Sequence, residues 1–278
     1  MARAGGAPRM PRLAGRETIR RSIKGMTMTT GSGPFGHRPA GRFNFELPSE
    51  RIEYLEPFPR RIRALVGDHV VIDTLGARLL HQQRRLPVWC FAPEDVHLEA
   101  LPDDAVTAHE DGLAKGLIEI RWDAVDQWLE EDEEVIVHPR DPYHRIELRE
   151  TSRQLRVELD GELLAESSSP LVLFEASLPA RWYLREQEIG AELAPNPDVR
   201  TGCAYKGWAS YYDVRAGEST EPFLAWYYAD PLDEVKRIEG MVSFFNERVD
   251  LFVDGERQER PETPWSGTEW AKQEWARA

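Results

Sequence analysis

Residues 155–189, "LRVELDGELLAESSSPLVLFEASLPARWYLREQEI", repeat the hydrophobic pattern of residues 62–96, "IRALVGDHVVIDTLGARLLHQQRRLPVWCFAPEDV", at a constant offset of 93 positions and without a gap. The rare tryptophans Trp89 and Trp182 fall at the same place in the two stretches. Self-similarity at a fixed period is the sequence signature of a duplicated structural unit. The chain is therefore predicted to contain two tandem homologous domains, residues 43–140 and 141–260.

The repeated unit reads as β-strands. In the second copy, apolar and polar residues alternate on both sides of Asp160-Gly161, a dipeptide typical of tight hairpin turns. The runs "PLVLFEA" (170–176), "ARWYLRE" (180–186) and "EPFLAWYYADP" (221–231) have strand length and are rich in apolar and aromatic residues. The predicted fold class is predominantly β, with one short helix per domain.

The helix of the second domain is predicted just after the aromatic run that ends at 231. Asp230 suits the N-cap, Pro231 the first helical position, and Gly240 the end. After it, Asn246-Glu247 separates two apolar runs and predicts a second hairpin.

Charge and cysteine content limit the class of function. The formal net charge of −14 argues against a nucleic-acid surface, because phosphate binding needs clustered Lys and Arg. Two cysteines, Cys90 and Cys203, favour a reducing compartment over a disulfide framework. No run of eighteen apolar residues occurs, so no membrane partner is expected. The predicted location is cytoplasmic.

Both termini differ in composition from the repeated units. Residues 1–25 carry six Arg and one Lys against a single Glu. Such a segment is a transit peptide, an over-extended start before Met26 or Met28, or a disordered tail, and residues 1–42 are predicted not to pack. At the other end, Trp265, Trp270 and Trp275 are spaced five apart, which spreads them around a helix. Residues 261–278 are therefore predicted to be a frayed or partly docked tail.

The two copies diverge in their later parts. The second contains "TGCAYKGWASYY" (201–212) and "AWYYADP" (225–231), whereas the first has "HEDGLAKGLIEIRWDAVDQWLEEDEEVIV" (109–137). The first copy has lost the cysteine and the paired tyrosines of the second. If one copy keeps a pocket, we expect it to be the second, with the first degenerate.

These residues resemble an uncharacterised family, domain of unknown function 427, sometimes labelled nucleotidyltransferase-like. The resemblance rests on "RWYLREQEI", "T-x-C-x-Y-K-G-x-A-x-Y" (201–211), "AWYYADP" and "FFNERVDLFVDG" in this order. It covers residues 147 to about 257 well and 53–140 as a degenerate copy. It implies a small β-rich fold of the β-tent type, which is shared with methionine sulfoxide reductase B and the Mss4-like zinc proteins. Those relatives hold structural zinc on CxxC pairs, and this chain has none.

Cys203 and Lys206 are the candidate catalytic residues. Cys203 is either a small buried apolar residue or a nucleophile activated by a cation, for which Lys206 and Arg181 are available. In a regular strand Cys203 and Lys206 would point to opposite faces, unless Gly202 or Gly207 permits a bend. Lys206 itself either extends along apolar surface or binds an anionic group.

The candidate ligand-binding residues combine positive charge with aromatic rings; they are Arg181, Trp182, Tyr205, Lys206, Trp226 and Tyr228. Strand alternation places Trp226 and Tyr228 on one face and Phe223, Ala225 and Tyr227 on the other. Glu175 and Glu239 could supply a carboxylate, with a surface position as the alternative. No two histidines share metal-ligand spacing, so neither a metal nor a cofactor is predicted.

Three functions remain open from the sequence. The first is binding of a small anionic or planar ligand in the second domain. The second is an enzyme that uses Cys203 or Lys206 covalently or transfers nucleotides. The third is a protein-interaction scaffold in which the aromatic residues form only core.

Overall fold

The computed structural model describes residues 41–46, 52–83, 85–176 and 178–273. Residues 1–40 and 274–278 lie outside the described part of the chain, so the predictions for the N-terminal extension and for Trp275 fall there. The strands of residues 53–135 are β1 (Glu53–Pro57), β2 (Ile62–Val66), β3 (His69–Thr74), β4 (Arg78–Gln82), β5 (Val88–Phe91), β6 (Val106–Ala108), β7 (Ile118–Ile120), β8 (Gln127–Glu130) and β9 (Glu133–Val135).

The strands of residues 146–257 form the second half. They are β10 (Ile146–Glu150), β11 (Leu155–Leu159), β12 (Glu162–Ser167), β13 (Leu171–Glu175), β14 (Arg181–Leu184), β15 (Glu192–Cys203), β16 (Gly207–Ala216), β17 (Ser219–Tyr228), β18 (Val242–Phe244), β19 (Asp250–Val253) and β20 (Glu256–Arg257). The predominantly β class predicted from the sequence is confirmed.

Short 3-10 helices connect the strands. They are η1 (Pro93–Asp95), η2 (Leu98–Ala100), η3 (Asp103–Ala105), η4 (Trp122–Ala124), η5 (Glu186–Glu188), η6 (Asp233–Ile238) and η7 (Glu269–Lys272). The helix expected after Asp230 is η6, with Leu232 as its N-cap. It begins later than predicted because the Leu232 N–H donates to the Lys206 carbonyl (3.2 Å), which holds residues 230–232 out of the helix.

Each half of the chain builds two antiparallel sheets from its own strands. The first half forms sheet 1 in the order β1-β4-β5-β7-β6 and sheet 2 in the order β3-β2-β8-β9. The second half forms sheet 3 in the order β10-β13-β14-β18-β17-β16-β15 and sheet 4 in the order β12-β11-β19-β20. β18 and β19 thus belong to different sheets, so the hairpin predicted at Asn246-Glu247 is wrong: this segment crosses between sheets.

Strand positions in the two halves correspond at the offset seen in the sequence. Strands β1–β5 and η1 each begin and end 93 residues before β10–β14 and η5. The register shift between Ala64 and Leu65 recurs between Val157 and Glu158. The isolated bridge between Ile72 and Val96 likewise recurs between Ala165 and Ile189.

The second half differs by an insertion. Cys90 pairs with Glu119 as Tyr183 pairs with Ser243, but 29 positions separate the first pair and 60 the second. The 31 additional residues build the long hairpin β15–β16 and lengthen β17 beyond its counterpart β6. This hairpin contains the motif of residues 201–212.

Apolar residues fill the space between the paired sheets in each half. The core between sheets 1 and 2 includes Ile62, Trp89 and Trp128. The core between sheets 3 and 4 includes Leu155, Val172 and Trp182. A further buried cluster lies on the opposite face of sheet 3, and it contains Leu173, Tyr183, Tyr211, Trp226, Tyr228, Phe245 and Trp270. Sheet 3 is therefore covered on both faces.

Alternation along β17 holds at its end but not at its centre. Trp226 and Tyr228 face one cluster, and Ala225 and Tyr227 face the other, as predicted. Phe223, predicted to lie with Tyr227, instead packs beside Trp226 and Tyr228. The reason is its positive φ of 51°, which interrupts the alternation of the strand.

Candidate functional site

The motif of residues 201–212 folds as a hairpin and not as one regular strand. β15 ends at Cys203, residues 204–206 form the turn, and β16 begins at Gly207, which pairs with Cys203. Gly207 has a φ of 96°, and a Cβ there would lie 3.3 Å from the Asp230 carbonyl oxygen. Glycine is needed at this position for both reasons. The face assignment based on a regular strand therefore does not apply to Cys203 and Lys206.

The turn directs Lys206 into the protein. Its Nζ lies 2.5 Å from Glu175 Oε2, and Glu175 Oε1 lies 3.1 Å from His144 Nε2. All three side chains are at least nine-tenths buried. A buried charge needs such partners, because desolvation of an unpaired charge is costly. Lys206, Glu175 and His144 are called the buried charge cluster below.

Protonation in the buried charge cluster follows from these contacts. Burial alone raises the pKa of Glu175, but the Lys206 ammonium and His144 outweigh burial and lower this pKa to about 2. Burial alone lowers the pKa of Lys206, and its electrostatic interactions with Cys203 and Glu175 outweigh burial and raise this pKa. The pair is therefore a carboxylate and an ammonium at neutral pH, and Lys206 is not a nucleophile in this state.

The tyrosine of the turn fastens it to the segment between the two halves. The Tyr205 ring stacks on the His144 ring with 4.1 Å between centroids, and its hydroxyl accepts the Asp141 N–H at 2.8 Å. Arg140 Nε donates to the Ala204 carbonyl at 2.8 Å. Burial raises the pKa of Tyr205. Its contacts in the structure are those of a positioning residue.

Arg181 forms a second buried ion pair. Its two terminal nitrogens each lie 2.7 Å from a carboxylate oxygen of Glu247. The guanidinium carbon lies 5.4 Å from the centre of the Trp226 ring. Burial alone raises the pKa of Glu247, and the hydrogen bond from Arg181 outweighs it and lowers this pKa. Both cations predicted to bind a ligand thus hold carboxylates of this chain.

The predicted aromatic residues separate onto two faces of sheet 3. Trp226 donates its Nε1–H to the Tyr183 hydroxyl at 3.2 Å, and Tyr228 is buried in the same cluster. Burial raises the pKa of Tyr183 to about 12. Arg181 and Glu175 belong to this face as well, because they alternate with Tyr183 and Leu173 along their strands. Trp182 alone faces sheet 4.

Trp182 lines a cleft of about 440 Å³ at the open end between sheets 3 and 4. Its floor contains the buried side chains of Val172, Trp182 and Leu251, and its rim contains the exposed arginines Arg149 and Arg153. The Arg153 guanidinium carbon lies 5.9 Å from the centre of the Trp182 ring. Of the predicted site residues, Trp182 lines this cleft.

The matching place in the first half is filled by aromatic rings. Phe58, 93 positions before Thr151, is buried, with its ring centre 6.1 Å from that of Trp89. Trp128 pairs with Ala64 as Leu251 pairs with Val157, and its ring lies 5.5 Å from Trp89. The cleft exists where the second half has Thr151 and Leu251 in place of these two rings.

The two cysteines have different surroundings. Cys203 is half-buried, whereas Cys90 is fully buried. Burial raises the pKa of the Cys90 thiol to about 12, and its sulfur lies 3.7 Å from His109 Nε2. Among residues 41–46, 52–83, 85–176 and 178–273, no three His, Cys, Asp or Glu side chains are grouped as a metal ion requires.

Sequence reasoning missed His144 and undervalued Glu175. Glu175 follows Leu171 and Leu173 at alternate positions, so the strand pattern already indicated an inward direction. The contact of His144 with Glu175 crosses 31 positions and carries no local signal. Glu239, the other candidate carboxylate, is exposed and pairs with Lys236 at 3.1 Å.

Comparison with known families agrees with the resemblance expected for the second half. Residues 147–255 match the family described as "Domain of unknown function (DUF427)". Comparison with curated proteins gives no match. The family match does not extend to the first half, so its membership as a degenerate copy stays a prediction. In the part of the chain that the structure describes, no helix has the length and apolar character needed to cross a bilayer.

Proposed function

We propose that the second half of this protein binds a small planar ligand in the cleft lined by Trp182. The volume of about 440 Å³ lies in the range typical of small-molecule sites. Such sites combine an apolar floor with a few polar groups that orient the ligand. The apolar floor of the cleft consists of Val172, Trp182 and Leu251. The polar groups are Asn246 and the two arginines at the rim.

The difference between the halves is the observation that carries this proposal. Phe58 and Trp128 pack beside Trp89 in the first half, and their counterparts Thr151 and Leu251 line the cleft that Trp182 borders in the second. Protein interiors are normally packed without large voids. In the first half Phe58 and Trp128 complete the packing beside Trp89, whereas in the second half a cleft lies beside Trp182, and this difference supports a ligand at Trp182.

The residues around the cleft indicate the chemistry of the ligand. A flat ring can stack on Trp182, because aromatic pairs favour offset or edge contacts. Arg149 and Arg153 can bind an anionic substituent. Arg153 now lies 2.7 Å from Asp254 and Arg149 3.0 Å from Glu147. These ion pairs are exposed and contribute little stability, so exchanging them for a ligand carboxylate or phosphate costs little.

The two halves in this proposal are tandem copies of one unit, of which the first has become structural. The shared strand bounds, the shared register shift and the shared isolated bridge at an offset of 93 residues support a duplication. The aromatic filling of the first half supports its loss of the ligand site. The insertion that carries Lys206 supports a separate specialisation of the second half.

The test fills the cleft by placing at position 151 the phenylalanine that the first half has at the matching position, Phe58. Wild type, Thr151→Phe and the surface control Ser152→Phe are compared by thermal shift against bicyclic aromatic carboxylates and phosphates, with uncharged bicyclic alcohols as comparators. A ligand at 100 times its Kd stabilises the folded state by about 2.7 kcal/mol. We expect shifts in wild type and Ser152→Phe and none in Thr151→Phe. Equal shifts in all three proteins would place binding elsewhere and contradict the proposal.

Arg153→Gln separates the two parts of the ligand assignment. Loss of this guanidinium should weaken the binding of the anionic compounds and leave the binding of the uncharged compounds unchanged, because only the anionic compounds interact with its charge. If the binding of both classes weakens equally, Arg153 acts by shaping the cleft, and the proposal that the ligand is anionic is wrong. If neither class binds wild type, the function does not rest on this cleft.

A further inference from the structure

The C-terminal segment, residues 261–273, begins at the rim of the cleft with Pro261 and places Trp270 against the opposite face of sheet 3. Its Trp270 is buried, and the ring lies within 6.1 Å, between centroids, of three other rings. These are Tyr211 at 5.2 Å, Phe245 at 5.7 Å and Phe223 at 6.1 Å. Tyr211, Phe223 and Phe245 are called the aromatic socket below.

The aromatic socket belongs to the unit that matches the family, and its occupant does not. The match ends at residue 255, and Trp270 follows it by 15 positions. The matched unit thus builds a ring-lined hollow, and a segment outside it supplies the indole. The socket and its occupant are separate parts of the chain.

The attachment of the C-terminal segment is made by side chains. Its backbone hydrogen bonds from Ser266 to Thr263, from Ala271 to Thr268 and from Gln273 to Trp270 are internal to it. Thr263 Oγ1 donates to Glu247 Oε1 at 2.6 Å. An element held in this way, and not by strand pairing, can detach without disturbing the sheets.

A strained residue completes the aromatic socket. Phe223 has a φ of 51°, which is unfavourable for a residue with a bulky side chain. Its N–H donates to Asp213 Oδ1 at 3.0 Å, and this hydrogen bond holds the conformation. The result is that the Phe223 ring turns to the socket side of the strand and contacts Trp270 edge-on. Strain of this kind often accompanies ligand sites.

We propose that the aromatic socket is a docking site for a tryptophan-bearing peptide segment, and that residues 261–273 of the same chain occupy it reversibly. The ligand is this segment itself: the indole of Trp270 enters the socket, and the hydroxyl of Thr263 donates to Glu247. Phe245 of the socket also contacts two predicted site residues, Arg181 and Trp226. This proposal does not depend on the cleft at Trp182.

The first experiment supplies the segment in trans to full-length protein. Trp270→Ala protein is titrated with a fluorescent peptide of residues 261–278, and anisotropy is measured. A tethered segment competes at an effective concentration of roughly millimolar, so wild type should bind the peptide at least about tenfold more weakly than Trp270→Ala. A peptide carrying Trp270→Ala should not bind, and one carrying Lys272→Ala should bind like the native peptide, because Lys272 is exposed.

A second measurement uses unmodified wild type, so that it does not depend on whether the Trp270→Ala variant folds. Hydrogen exchange of the Ala271 and Gln273 amides should be faster than that of β16, because the segment opens locally. Exchange of both at the same rate as β16 would mean that the segment opens only on global unfolding, and would overturn the proposal. Failure of the native peptide to bind the folded Trp270→Ala protein would also overturn it. Dimers that exchange segments would contradict occupancy within one chain.

Discussion

Glu175→Gln is the substitution that tests the buried charge cluster most directly. The change keeps the shape of the side chain and removes its charge, which leaves the Lys206 ammonium buried without a counter-ion. The structure already tolerates an amide at the corresponding place: Gln82 lies 93 positions earlier, on β4, and donates to Glu53 at 2.7 Å. Because the substitution keeps the size of the side chain, a loss of stability reports the lost charge and its hydrogen bonds with Lys206 and His144.

The expected loss follows from burial. Lys206 and Glu175 side chains are 9% and 1% exposed, so solvent cannot replace the missing partner. Breaking a buried ion pair by removing one partner costs about 3–5 kcal/mol. For a protein of this size 1 kcal/mol corresponds to a shift of about 2–4 °C, so Tm should fall by roughly 6–20 °C. Lys206→Met in the same protein should recover part of the loss, because neighbouring sites couple.

Urea unfolding of wild type, Glu175→Gln, Lys206→Met and the double variant measures this coupling. The matched control is Glu150→Gln, since Glu150 is exposed and pairs with Arg237 at 2.7 Å on the surface. An exposed pair contributes about 0–1 kcal/mol, so the control should unfold almost as wild type does. A Glu175→Gln protein as stable as this control would refute the argument. Losses that simply add in the double variant would refute the pairing.

Three further outcomes are expected, one for the buried charge cluster, one for the cysteines and one for the core of the first half. Because the pKa of Glu175 is lowered to about 2, the stability that its carboxylate contributes is present above its ordinary pKa of 4.5 and is lost as pH falls from 4.5 toward 2. Over this range the Tm of wild type should fall more steeply than the Tm of Glu175→Gln. Parallel curves of Tm against pH would contradict this prediction. A thiol reagent at pH 7 should label Cys203 before Cys90, since the Cys90 thiol is fully buried with a pKa of about 12, and mass spectrometry would reveal the reverse order. Phe58→Thr should cost about 3–5 kcal/mol in urea unfolding, as large-to-small core substitutions of aromatic residues do, and a cost below about 1 kcal/mol would show that Phe58 does not fill the first half.

Local pattern was sufficient for much of the fold. The offset of 93 residues, read from apolar positions and one tryptophan, coincides with strand bounds in both halves. The turn at Asp160-Gly161 has positive φ at both residues, as such a turn requires. These features depend on neighbours in the chain, and for this reason the sequence shows them.

The candidate site was less accessible to sequence reasoning. Lys206 was identified as an unusual residue and Arg181 as a candidate cation, but the carboxylates that neutralise them stand 31 and 66 positions away along the chain. Trp182 was grouped with rings that lie on the other face of its sheet. A residue pattern gives the type of side chain, but it does not give the partner that satisfies its charge.

The sequence by itself determined the β class, the 93-residue offset of the apolar pattern and the concentration of rings and cations in the second half, because alternation and composition are local properties. Only the tertiary structure decided that Lys206 faces Glu175, that Phe223 turns toward Trp270, and that Thr151 and Trp182 line one cleft. Each of these depends on segments distant in sequence, brought together by sheet packing. Side-chain packing and ion pairing are formed between such segments, so these contacts can be identified only in the folded chain.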